Sequence, residues 1–124
     1  MPAPDLPLVD EGVLADLLAS TGDDPAFVRE LLETYLAETP EQLEAITAAI
    51  GADDAAALVR PAHTLKSSSA TLGAMQLSTL ARELEMAGRA GGLGPEVRDT
   101  AGTAMTTWAG TAAALSAWMS ERGS

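Results

Sequence analysis

Apolar positions recur three and four residues apart along nearly the whole chain, the spacing of one face of an α-helix. Residues 1–7 carry three prolines and read as an extended lead-in. Asp10 can then cap a short helix to about Leu18, with Leu14, Leu17 and Leu18 facing inward. Gly22-Asp23-Asp24-Pro25 supplies a break, a capping acid and a proline suited to a first helical turn. From Ala26 onward, Phe27, Leu31, Leu32, Tyr35 and Leu36 repeat at helical spacing and continue past Pro40 as Leu43, Ile46 and Ile50. Pro40 marks either a kink within one helix or a break between two.

Gly51 closes that segment, and Asp53 or Asp54 caps a third, which runs to about Leu72 and stops at Gly73. A fourth, from about Ala74 to Arg89, sets Leu77, Leu80, Ala81, Leu84 and Ala87 on one face. Gly91-Gly92-Leu93-Gly94-Pro95 forms a turn, and Glu96 opens a last helix to about Arg122. No stretch has strand alternation or a hairpin turn. The expected fold is all-α: an up-and-down four-helix bundle with a short extra N-terminal helix, one domain over residues 8–124.

Composition narrows the function classes. Eighteen acidic against seven basic residues give a net charge of −11, which argues against nucleic acid and anionic membranes as partners. At 47% hydrophobic residues the 124-residue chain is too apolar for disorder and long enough for one modest core. There is no cysteine, which excludes disulfides and thiolate metal sites. The N-terminus lacks the basic and apolar regions of a signal peptide, so a cytoplasmic, stand-alone protein is expected. Thr100 to Ser120 holds no charged residue, but its threonines, serines and glycines suit a bundle helix better than a membrane span. With Trp108 and Trp118 it either covers the core or leaves a patch for self-association; burial and a monomer are expected, with a dimer through this helix as the alternative.

Candidate chemistry is concentrated in one stretch. Ala62-His63-Thr64-Leu65-Lys66-Ser67-Ser68-Ser69-Ala70-Thr71-Leu72-Gly73-Ala74 holds the chain's sole histidine and sole lysine. At about 100 degrees per residue, Leu58, Ala62, Leu65, Ser69 and Leu72 share one arc and define a buried stripe. His63 falls roughly 140 degrees from its centre, toward solvent. Lys66 and Ser67 flank it, Ala70 and Ala74 continue the face with little bulk, and Lys66 is placed to neutralise an anion on the imidazole. Arg60, Arg82 and Arg89 lie on the same two helices. A single histidine without Glu-x-x-His spacing disfavours zinc and di-iron chemistry, and no glycine-rich phosphate loop is present.

The run His63-Thr64-Leu65-Lys66-Ser67-Ser68-Ser69 with Leu72-Gly73-Ala74 resembles the signature of histidine-containing phosphotransfer (HPt) domains of bacterial phosphorelays. Asp24-Pro25-Ala26-Phe27-Val28, Tyr35-Leu36-Ala37-Glu38-Thr39-Pro40 and Leu80-Ala81-Arg82-Glu83-Leu84-Glu85 resemble the helices around that signature. The likeness covers roughly Leu8 to Ala90, and the last helix by length and position only. It implies a phosphocarrier, not an enzyme with its own ATP site. His63 would accept a phosphoryl group from a receiver-domain phospho-aspartate and pass it to another receiver. Lys66 would balance the phosphate charge, and Ser67 would stand where many members have glycine. Gly73 would end the helix or allow close approach. Glu85, or alternatively Arg82, would lie near the imidazole on the facing helix.

Val59, Arg60, Ala70, Ala74 and Arg89 would belong to the docking surface. No cofactor is implied for this chain, magnesium being expected on the partner. Partners would be receiver domains of response regulators and a hybrid sensor histidine kinase. Pro61, two residues before His63, departs from the family pattern and is expected to kink the helix. Two other functions compete: a phosphotransfer domain of the chemotaxis-kinase type, phosphorylated in trans, and a helical adaptor with an inert His63.

Overall fold

A computed structural model describes residues 6–122. Five helices account for it: α1 Glu11–Ser20, α2 Pro25–Gly51, α3 Ala55–Thr71, α4 Met75–Ala90 and α5 Pro95–Glu121. No strand occurs among the described residues. Helices α2 to α5 form an up-and-down bundle in which each packs on the next and α2 closes against α5, while the short α1 leans on α2. Of the lead-in expected over residues 1–7, residues 1–5 lie outside the described residues.

Local chemistry explains the boundaries. Asp10, Asp24 and Asp54 each cap a helix by accepting hydrogen bonds from backbone amides one half-turn on. Pro25 and Pro95 occupy first-turn positions, where a missing N–H costs nothing. Gly22, Gly73 and Gly91 sit at positive φ just past helices α1, α3 and α4. Pro40 breaks nothing: α2 runs through it as one helix of 27 residues. Thr39 and Leu43 on either side of Pro40 are buried, so packing holds the helix through a position that has lost its amide.

Leucine dominates the core, with Leu14, Leu32, Leu58, Leu65, Leu77, Leu80, Leu84 and Leu115 essentially without exposure. The charge-free stretch of α5, from Thr100 to Ser120, turns Ala104, Thr107, Thr111, Leu115 and Trp118 inward. Its outer side carries small residues and a half-exposed Met105. No helix among the described residues is long and apolar enough to cross a membrane. Trp108 meets Tyr35 edge-on at 5.4 Å between ring centroids.

Two cross-links hold helix α3, which carries His63, in register. Tyr35 on α2 shares a 2.6 Å hydrogen bond with the buried Ser69 hydroxyl. Burial pushes the Tyr35 phenol up to about 12, the Ser69 contact opposing it, so it stays neutral. From the other side, Ser78 on α4 donates to the Lys66 carbonyl at 2.9 Å.

Candidate functional site

Helix α3 is built to present one residue. Leu58, Pro61, Ala62, Leu65 and Ser69 are buried, so the opposite side, bearing His63, Thr64, Ser67 and Ala70, faces water. The His63 side chain is 54% exposed. Pro61 lies inside α3, which continues unbroken from Ala55 to Thr71; the Ala57 carbonyl it deprives of a donor belongs to an exposed residue.

The C-terminal end of α3 is a complete Schellman turn. The Gly73 amide donates to the Ala70 carbonyl at 3.2 Å and the Ala74 amide to the Ser69 carbonyl at 2.8 Å. Gly73 has φ +81, and a Cβ there would lie 2.8 Å from the Asp10 carbonyl oxygen. Its own carbonyl accepts from the Asp10 amide at 2.7 Å. Gly73 therefore supports the helix end and its strap, roughly 15 Å along the axis from His63. This turn corrects one expectation. Ala74, placed with the docking residues, is fully buried and serves as the N-cap of α4. The left-handed glycine swings the chain inward, so the exposed face of α3 stops before it.

Helix α4 brings the acid. Leu77, Leu80, Ala81, Leu84, Glu85 and Gly88 form its inward face, and Glu85 is the one carboxylate on it. Glu85 is 5% exposed, yet its burial is shallow, beneath side chains and not within the leucine core. His63 Nδ1 lies 2.9 Å from Oε2. Arg89 reaches the same oxygen through Nη2 at 2.7 Å and Nε at 3.2 Å. Lys66 Nζ lies 2.7 Å from Oε1, as a charge contact and not an aligned hydrogen bond.

Lys66 first, then Arg89, hold the Glu85 carboxyl down at about 2, with burial opposing and His63 adding to the effect. The acid is thus ionised at neutral pH, and an ionised carboxylate only accepts. Nδ1 of His63 must then donate, and in the neutral form of the ring this leaves the lone pair on Nε2. No hydrogen bond reaches Nε2 from the described residues.

Close helix approach makes this contact possible. A Cβ on Gly88 would lie 2.9 Å from both the Ala55 carbonyl oxygen and Val59 Cγ2. Glycine lets α4 settle onto α3 one turn from Glu85. An open depression of about 440 Å³ beside the imidazole is lined by Ala56, Val59, Arg60, His63, Thr64 and Arg89. A smaller one of about 190 Å³ lies on the α2 side, where Thr64 and Ser68 face Leu31, Thr34 and Glu38.

The structure therefore brings together His63, Lys66, Glu85 and Arg89, with Arg60 at the rim. Ser67 is exposed, and among the described hydrogen bonds its hydroxyl makes none to the ring. Arg82 is exposed on α4 and, among the described hydrogen bonds, makes none to the imidazole. Val59 is half-buried against Gly88. Sequence reasoning missed Gly88, Ser78 and the attachment of Arg89 to Glu85. The first had a signal, a glycine on the inward stripe of α4, and so did the last, the four-residue spacing of Glu85 and Arg89 on one helix.

A surface histidine held by a buried carboxylate, ringed by cations on an otherwise acidic helical bundle, is the arrangement of a phosphotransfer module. The family comparison agrees: the Hpt domain profile matches residues 30–118, and the chain belongs to that family of histidine phosphotransfer proteins in phosphorelays. Histidine-containing phosphotransfer protein B (HptB) from Pseudomonas aeruginosa PAO1 has a similar crystal structure, with a TM-score of 0.84. The two chains are 28% identical over 94% of this chain and 98% of HptB. No curated protein matches the chain in sequence.

Proposed function

We propose that this protein is a phosphorelay intermediate that accepts a phosphoryl group on His63 Nε2 from a receiver-domain phospho-aspartate and passes it to the aspartate of another receiver. The observation that carries it is the 2.9 Å contact between His63 Nδ1 and an ionised Glu85. Neutral imidazole with its proton on Nδ1 is nucleophilic at Nε2 alone.

The step balances without an external base. The Nε2 lone pair forms the N–P bond as the P–O bond to the aspartyl carboxylate breaks. That electron pair leaves with the carboxylate, and the proton remains on Nδ1 throughout. The phosphorylated ring is then cationic, and Glu85 faces its N–H. Return of the phosphoryl group to a second aspartate regenerates the neutral ring by the reverse displacement.

The transition state is loose and strongly anionic. Lys66, Arg89 and Arg60 surround it with positive charge in a chain of net charge −11. That contrast would steer the acidic phosphorylation pocket of a receiver toward this patch. Magnesium would arrive with the receiver, and phosphate flow from a hybrid sensor kinase would begin there.

The test is incubation with phosphorylated receiver domains from the source organism. Acid-labile, base-stable phosphate should appear on the wild type and vanish in His63→Gln. Absence of transfer from every receiver and histidine kinase of that genome would leave the bundle an adaptor with an unmodified histidine.

A further inference from the structure

We infer that Arg89 is a positioning residue for the phosphoacceptor: its guanidinium forks onto the Glu85 oxygen that takes the His63 Nδ1 proton, and holds that oxygen when Lys66 turns to the phosphoryl group. This rests on the phosphotransfer function proposed above and divides the work between its two cations.

The two contacts differ in kind. Arg89 lies four residues after Glu85 on the same helix, and both of its donors converge on Oε2, at 2.7 and 3.2 Å. That pair is local to α4 and persists whatever happens on α3. Lys66 approaches from the other helix and touches the other oxygen, Oε1, once. It sits three residues after His63, within one turn of the imidazole. Its ammonium is a point charge on a flexible stem, whereas the guanidinium is a rigid planar fork.

Phosphorylation changes what each cation faces. The new phosphoryl oxygens lie on the solvent side of the ring, and a flexible lysine one turn away is the cation able to reach them. Once it turns, Oε1 of Glu85 loses its partner. Were Arg89 absent, the carboxylate would then rest against the imidazole alone, with a second anion nearby, and would repel the phosphoryl group or take up the ring proton. Arg89 keeps Glu85 charged and its Oε2 in place, so that the proton stays on Nδ1 through both displacements. Gly88, the residue before it, lets α4 approach closely enough for this clamp to span the helix interface.

His63 is the sole histidine, so its imidazole nitrogen resonances report the clamp directly. Nitrogen-15 spectra and transfer rates from a phosphorylated receiver should be measured for wild type, Arg89→Gln, Arg89→Lys and Lys66→Gln. Expected for Arg89→Gln is a mixed tautomer population and transfer slowed by roughly tenfold, as when the orienting partner of a functional histidine is lost. Arg89→Lys, with charge but no fork, should restore part of both. Lys66→Gln should keep the Nδ1–H form of the free protein while slowing transfer.

An Arg89→Gln protein with the wild-type tautomer overturns the role, since any rate loss would then come from contact with phosphate or partner. So does a Lys66→Gln protein that loses the tautomer preference. A wild type that shows the Nδ1–H form but takes no phosphate overturns the function itself, and this role with it.

Discussion

His63 and Glu85 meet across the α3–α4 interface, Nδ1 to Oε2 at 2.9 Å, with side chains 54% and 7% exposed. The Nε2 half of the ring faces water, and the Nδ1 half rests on a concealed carboxylate. Burial of the acid fixes the imidazole, and exposure of Nε2 lets a partner reach it. Two oppositely solvated residues thus meet through one hydrogen bond.

Removing the acceptor should therefore cost more than weakening it. Glu85→Ala frees both tautomers and leaves Lys66 and Arg89 facing each other across an empty position. Its transfer rate should fall by about 10²-fold or more, the scale of losing a positioned proton partner. Glu85→Gln retains an oxygen that accepts from Nδ1 but no charge, and should lose about tenfold. Rapid-quench measurement from one phosphorylated receiver at pH 7 ranks the three proteins; equal rates for Ala and wild type would show that Glu85 does not set the tautomer.

The same carboxylate predicts an acid limb in stability. Its pKa is lowered on folding, from an ordinary 4.5 to about 2, so between those values the unfolded chain binds the proton and the folded chain does not. The contribution of Glu85 is complete above about pH 4.5 and disappears as pH falls through about 2. Urea unfolding across this window should show wild-type stability falling more steeply than that of Glu85→Gln. Parallel curves would mean that the ion contacts leave no net preference for the charged acid.

Helix ends were legible in the sequence because they are local chemistry. Asp10, Asp24 and Asp54 cap and Gly73 and Gly91 stop their helices within the span of one turn. The path through Pro40 was not legible, since it depends on the packing of Thr39 and Leu43 against other helices. The outward direction of His63 followed from the 3.6-residue period. Ala74 was misplaced because that period was carried past Gly73, where the backbone turns left-handed. Glu85 stood on the same period as Ala81 and Gly88, an acid on an apolar stripe that is itself a signal of a buried partner. The fork of Arg89 onto it had a signal too, the four-residue spacing of the pair on one helix; the reach of Lys66 from α3 to the same acid had none, because helix separation decides it.

The clamp between α2 and α3 is measurable as coupling. Tyr35 and Ser69 satisfy each other at 2.6 Å in the interior, so either single change strands a buried hydroxyl. Tyr35→Phe and Ser69→Ala should each cost about 1–3 kcal/mol in denaturant unfolding. The double variant should cost less than their sum, because it strands nothing. Strict additivity would indicate that one hydroxyl finds a new partner.

Glycines on the two long faces should respond to alanine in opposite directions. A methyl at Gly88 meets the Ala55 carbonyl oxygen and Val59 at 2.9 Å, and backbone cannot give way cheaply. Strain of about 1–3 kcal/mol opposes a helix-propensity gain of about 1 kcal/mol, so Gly88→Ala should be destabilised or near neutral. Its α3–α4 spacing should widen, lengthening the His63–Glu85 contact and slowing transfer. Gly102 lies inside α5 with nothing within 4 Å of an added Cβ, so Gly102→Ala should gain up to about 1 kcal/mol and leave transfer unchanged. Thermal unfolding and transfer rates of the two variants settle the point. Gly88→Ala that is both stabilised and fully active would show that the helices tolerate a wider separation than the His63–Glu85 contact implies.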